Sequence, residues 1–338
     1  MAISDEPLVS IVTPVYNGAA YLAECIESIL AQTYSKWEYT IVNNCSTDDT
    51  LAIAQRYAKA DARISVREND KLLDVIGNHN RAFRSISGAS KYCKVVSADD
   101  LLFPDCLRQM VELAEAHPSV GLVGSYQVSG AGAKWYVRFT GLPYTQTVIP
   151  GRDVCRAHLL GTTGAFGMPL SVLGSPTSNL YRSDLVRATE SFYPNSTAEA
   201  DVSACFECLK ASDFGFVHQV LSYERLHDVR VTTTSESVNA YLTSKIGDLL
   251  TYGPVYLSKE EMARRFKEMM GEYYEFLALS AVNFRKGSFW GYHKKRLVEL
   301  GHPLDRVKLG RAICRKLFDL CFNPKRTIES VKWRIARG

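Results

Sequence analysis

Three observations predict an α/β chain built on a mainly parallel sheet. The first 130 residues alternate short apolar runs with segments of helical period. Those runs are rich in β-branched residues, the composition of strands buried on both faces. The run Tyr92-Cys93-Lys94-Val95-Val96 then leads into two adjacent carboxylates, Asp99 and Asp100, at the strand end where an open α/β sheet receives its ligand. Charge at such a tip is costly unless a ligand or metal compensates it. Asp also favours turns and helix caps, so Ser97-Ala98-Asp99-Asp100 reads equally as a cation site or as the start of the helix after Pro104.

The elements follow in order. Residues 8–15 form the first strand, and 19–32 a helix with Leu22, Ile26, Ile29 and Leu30 on one face. Residues 37–42 are the second strand. Ser46-Thr47-Asp48-Asp49 opens the next helix with a cap and acidic first-turn residues, which suit the helix dipole. A short strand over 63–66, a helix over 75–87 and a strand over 92–97 come next. A helix over 104–116, with Pro104 in its first turn, precedes a fifth strand over 120–128. From 130 to 175 the pattern weakens into a Gly- and Thr-rich stretch, including Gly161–Gly167, of the kind that forms a mobile loop over a site. Regular structure resumes at Asn179, with helices over 183–189 and 201–210 and a strand over 214–223. After Ser235 the chain reads as helical.

Composition narrows the class. The chain has 338 residues, 46% hydrophobic and 22% charged, and no run approaches the roughly 18 apolar residues that span a bilayer. A cytoplasmic location is expected. Nine cysteines without framework spacing suit reduced thiols, and Cys205-x-x-Cys208 lies in a helical run that favours core packing over metal or redox chemistry. Charge is unevenly distributed: residues 285–338 hold 15 Lys/Arg and 4 Asp/Glu, while the rest holds 25 and 32. Arg311–Phe322 and Ser330–Arg337 mix aromatics and cations as a helix on an anionic membrane surface would, or as a solvated face packed on the main domain would. An acidic main part without a nucleic-acid-binding motif argues against nucleic acid as a partner.

Val9-Ser-Ile-Val-Thr-Pro-Val-Tyr-Asn17, Val42-Asn-Asn-Cys-Ser-Thr-Asp-Asp-Thr50, and Ser97-Ala-Asp-Asp100 with Pro104-Asp105 stand in one order and spacing. Together with the helix Tyr21–Tyr34 they resemble the inverting family 2 glycosyltransferases of GT-A fold. The resemblance covers residues 8–130 most fully and 174–234 less so. It implies a catalytic domain over 1–234, with a nucleotide-binding half to 130 and an acceptor half from 131, and a helical, basic region over 235–338.

The resemblance also assigns roles. Asp99 takes the third position of the family's Asp-x-Asp-Asp, the place of the carboxylate that holds Mg²⁺ or Mn²⁺ and the donor diphosphate; Ser97 replaces the first Asp. Asp100 and His227 are further metal candidates. Pro14, Tyr16, Asn17, Asn44 and Asn80 fall at nucleotide-sugar positions. Asn43-Asn44 stands where Asp-Asp is common, and an Asn amide, both donor and acceptor, still suits uracil, which favours a UDP-sugar. Asp201 matches the base that takes the acceptor proton, with Glu199 as the alternative. Gly174–Ser178 resembles the acceptor-side loop, and Tyr223-Glu-Arg-Leu-His227 with Arg230 and Thr232 a loosely spaced Tyr-Arg-x-x-His ending. The implied activity is inverting transfer of a sugar from a nucleotide-diphosphate donor to a hydroxyl of a glycan or lipid-linked saccharide, in cell-surface polysaccharide biosynthesis. Such an enzyme could sit at the inner face of the membrane. The rival readings are a catalytically impaired sugar-nucleotide-binding protein and a nucleotidyltransferase of similar fold, although Tyr16-Asn17-Gly18 lacks the cations of a nucleotidyltransferase loop.

Overall fold

A computed structural model describes residues 6–131, 134–139, 142–161, 172–194, 199–227, 238–283, 285 and 287–322. Arg230, Thr232, residues 162–167 and the segment 330–337 lie outside these. The chain divides into two compact units, 1–230 and 231–338.

The first unit is a sheet with helices. Its strands are β1 (Val9–Val15), β2 (Trp37–Asn43), β3 (Ile64–Glu68), β4 (Tyr92–Val95), β5 (Leu101–Leu102), β6 (Val120–Ala131), β7 (Lys134–Arg138), β8 (Val148–Ile149), β9 (Leu180–Arg182) and β10 (Asp213–Arg225). The main order is β3-β2-β1-β4-β9-β6-β10-β5, with β7 on β6 and β8 on β10. The long pairs β1–β2, β2–β3, β1–β4 and β6–β10 are parallel, and the short strands β5, β7, β8 and β9 pair antiparallel. All seven β1 residues are buried, as a strand covered on both faces requires.

The helices are α1 (Leu22–Leu30), α2 (Thr50–Ala60), α3 (Val75–Phe83), α4 (Cys106–Ala116), α5 (Gly151–Leu160), α6 (Ser183–Arg187) and α7 (Ala200–Cys208). α1 buries Leu22, Cys25, Ile26 and Ile29 against the β1–β2 face, which is the apolar stripe read from its period. α2 begins later than its cap signal suggests. Asp48 faces outward instead: its carboxylate accepts from Ala19 N at 3.0 Å and Thr50 N at 3.1 Å, so it ties the β1–α1 loop to the β2–α2 loop. The stretch expected to be irregular holds β7, β8 and α5. α5 begins on Gly151, where a Cβ would lie 2.1 Å from Ser212 O, so only glycine lets this helix approach the turn before β10. The described cysteines are free, and Cys205 and Cys208 are buried in α7 as core residues.

The second unit contains α8 (Ala240–Tyr256), α9 (Lys259–Val282), α10 (Gly287–Glu299) and α11 (Arg306–Phe322). Ser258 and Glu261 form a reciprocal capping box that starts α9. Tyr274 and Ala278 of α9 pack on Ala312 of α11. His293 lies buried between Tyr273 OH, 2.6 Å from Nδ1, and Val238 O, 2.8 Å from Nε2. No helix among the described residues is long and apolar enough to cross a membrane.

Candidate active site

From β1 the chain winds outward through β2 and β3, and it returns to the other side of β1 as β4. The ends of β1 and β4 therefore frame the crevice where open α/β sheets bind ligands. Pro14 closes β1 inside the core, and Tyr16 just beyond it is 50% exposed over the crevice mouth. Asn17 turns the chain with φ +50°, and its Oδ1 accepts from Thr47 N at 2.8 Å while its own N–H donates to Ser46 Oγ at 3.0 Å. Cys45, with φ +57°, makes the matching turn after β2. Non-glycine residues in left-handed conformations gather where surrounding structure fixes a site.

The two carboxylates after β4 part company. Asp100 turns inward: Oδ2 accepts from Thr177 Oγ1 at 2.5 Å and Oδ1 from Arg225 N at 3.2 Å. Burial, reinforced by the neighbouring Asp99 charge, holds its carboxyl well above the ordinary range. Neither residue caps α4. With both oxygens engaged, Asp100 departs from the expectation of a metal ligand. Asp99 stays partly exposed, and its Oδ2 lies 2.9 Å from His227 Nε2. Those two donors converge, although no group of three or more His, Cys, Asp or Glu side chains suited to a metal occurs among the described residues.

Arg225 fastens this turn. Its Nε donates to Asp99 O at 3.2 Å, Nη2 pairs with Glu24 at 2.7 Å, and the guanidinium lies 4.7 Å from the Tyr21 ring centroid. The Tyr21 ring is in turn 5.0 Å from that of His227. Sequence reasoning singled out neither Arg225, Tyr21 and Glu24 nor Thr177; Arg225 and Thr177 do stand inside the quoted Tyr223–His227 and Gly174–Ser178 segments.

Two expected nucleotide contacts lie elsewhere in the hydrogen-bond network. Asn44 splints residue 73: Nδ2 donates to Leu73 O, and Oδ1 accepts from Leu73 N and Asn69 Nδ2, each at 2.9 Å. Those bonds tie the Asn44 amide to the segment before α3. Asn80 clamps the Tyr193 backbone, donating to its O at 3.0 Å and accepting from its N at 2.8 Å, and this joins α3 to the segment before α7.

Asp201 lies in the first turn of α7. Burial raises its carboxyl above its ordinary value, while the backbone N–H groups of Val202 and Ser175 and the charge of Arg138 pull it back. Glu199 occupies the cap position of the same helix. The segment Gly174–Thr177 thus lies against both acidic groups: a Cβ on Gly174 would stand 3.4 Å from Asp201 Oδ2, and Thr177 holds Asp100 and, through Oγ1, accepts from Ser97 N at 3.1 Å. It is strained there, with Gly174 at φ +104° and Ser175 at φ +52°. Thr177 O also accepts from the fully buried Lys94 Nζ at 2.7 Å.

Comparison with known proteins bears on the family and the fold. Residues 10–168 match the family model for glycosyl transferase family 2. The putative teichuronic acid biosynthesis glycosyltransferase TuaG of Bacillus subtilis is 36% identical over 107 residues, 32% of this chain and 42% of its own. Three curated relatives, TuaG among them, are matched over only 13–42% of their length. Among solved structures, S. aureus TarS 1–349 in complex with UDP-GlcNAc superposes with a TM-score of 0.63 at 15% identity, over 86% of this chain and 80% of that one. The mannosyltransferase PcManGT of Pyrobaculum calidifontis, in complex with GDP-Man and Mn²⁺, gives 0.53 at 14% identity, over 94% and 88%. These likenesses and a sheet with its crevice at the β1–β4 switch give the first unit the GT-A fold, and its residues 10–168 match glycosyl transferase family 2.

Proposed function

We propose that this protein is an inverting glycosyltransferase, moving a sugar from a nucleotide-diphosphate donor to a hydroxyl of a glycan or lipid-linked saccharide in cell-surface polysaccharide biosynthesis. The observation that carries the reading is the Gly174–Thr177 segment, which packs against Asp201 at Gly174 and hydrogen-bonds the Ser97–Asp100 turn through Thr177. One short stretch of backbone therefore gathers a candidate base and a candidate diphosphate site. Asp201 takes the acceptor proton as the hydroxyl oxygen attacks the anomeric carbon; the bond to the diphosphate breaks on the opposite face, and the configuration inverts. Its raised affinity for a proton is what a general base needs.

The donor lies over Pro14, Tyr16 and Asn17, with its diphosphate at Asp99. The donor set fits a divalent cation: Asp99 Oδ2 and His227 Nε2 would hold Mn²⁺ or Mg²⁺, ions that retain waters and accept phosphate oxygens. Such an ion neutralises charge on the departing diphosphate. Neighbours in complex with UDP-GlcNAc and GDP-Man support a nucleotide sugar, and a UDP-sugar remains the favoured donor. α11 carries Phe318 and Phe322 exposed, with rings 4.3 Å apart, beside Arg311, Arg315 and Lys316, and it is the part that would rest on an anionic membrane at the cytoplasmic face.

Asp201→Asn tests the assignment. Transfer should fall by about 10²- to 10⁴-fold while donor affinity, read by calorimetry with a UDP-sugar, stays unchanged. Glu199→Gln should retain turnover. Normal turnover in the Asp201 variant overturns the role of Asp201.

A further inference from the structure

The most exposed aromatic side chains described in the first unit fall on and shortly after β7 along the chain: Trp135 is 67% exposed, Tyr136 54% and Tyr144 83%. β7 pairs with β6 alone, and its alternation puts Lys134, Tyr136 and Arg138 on one face and Trp135 and Val137 on the other. The first face belongs to the candidate active site. Tyr136 stands opposite Ser129, whose Oγ donates to Glu224 at 2.5 Å, and Arg138 pairs with the same Glu224 oxygen at 2.5 Å. Glu224 acts electrostatically on Asp100, and Arg138 on Asp201. At the turn end of the hairpin Gly130 O accepts from Tyr223 OH at 2.9 Å and from Leu226 N at 2.8 Å, next to His227. A cation, an aromatic ring and a second cation thus line one face of β7, from the turn end beside Gly130 to Arg138 beside Glu224.

We propose that Lys134, Tyr136 and Arg138 form an acceptor subsite for an acidic saccharide. The Tyr136 ring offers a flat, amphipathic face to the apolar face of a pyranose, and Lys134 and Arg138 flank it with donors for carboxylate groups. Charge complementarity selects an acidic sugar over a neutral one: Arg138 is offset by Glu224, whereas Lys134 is exposed at the outer end. This assignment rests on the transferase reading for its role but not for its binding.

The test uses the whole chain and titration calorimetry with trigalacturonic acid, against maltotriose as the neutral counterpart. Trigalacturonic acid should bind, more weakly as salt rises from roughly 0.05 to 0.3 M, and maltotriose should bind about 10-fold less tightly. Tyr136→Ala should weaken trigalacturonate binding by about 5- to 10-fold, with Tyr136→Phe restoring it and the melting temperature unchanged in both. Lys134→Gln should remove most of the salt dependence. Equal affinity for the two trisaccharides, no binding of trigalacturonic acid, or an unaffected Tyr136→Ala variant overturns the subsite. Donor turnover without trigalacturonate binding would sink the subsite alone, and binding by a chain without donor turnover would sink the transferase reading alone.

Discussion

Asp201 is held between opposing influences, and the balance fixes a pH dependence. Burial favours the protonated form, whereas the Val202 and Ser175 N–H groups and Arg138 favour the ionised one. In its proposed role as base Asp201 works only when ionised, so turnover should rise with pH along a limb set above the ordinary carboxylate range. Arg138→Gln removes a cation and should move that limb further up, which a rate–pH profile measures; a limb that moves down would contradict the placement of Arg138. Asp99 and Asp100 show what single residues leave unread. Both were visible as a charged strand tip, but which one faces solvent depends on Thr177 and Arg225, more than 75 residues away in the chain. Asn44 and Asn80 make the same point: an amide at a ligand-binding position can be consumed by distant backbone, Leu73 in one case and Tyr193 in the other.

Elements with strong periodicity were legible, and those made by long-range pairing were not. β1, β2 and α1 stand where their apolar patterns put them, because core burial fixes their register. β7 carries no such pattern, with four of its five residues exposed, so only its pairing with β6 makes it a strand. α5 hides behind a glycine whose value is close approach, which sequence period cannot reveal. α11 alternates cations with aromatics and leaves Phe318 and Phe322 exposed. On the proposed membrane contact, deleting residues after Leu309 should lower co-sedimentation with vesicles containing phosphatidylglycerol, and unchanged sedimentation would dismiss that role.

At the scale of the molecule, the second unit carries its own sensitivity to acid. Burial lowers the His293 imidazole to about 4. In the folded unit it therefore stays neutral to about that pH, whereas in the unfolded chain it gains a proton near 6.5. The stability this contributes is whole above pH 6.5 and is lost as pH falls through 4, on the order of 3 kcal/mol in all. Hydrogen exchange in the helices of the second unit should accelerate across that window, after correction for the intrinsic pH dependence of exchange. His293→Gln should flatten the response, and an equal slope in the variant would show that another group controls it. The first unit's Gly174–Thr177 segment carries a consequence of another kind. Whatever settles the Ser97–Asp100 turn also settles Thr177, and with it the Gly174 backbone that lies against Asp201. On the proposed roles, donor and acceptor then share one conformational cost, so each should raise the other's affinity by the same factor, whichever arrives first.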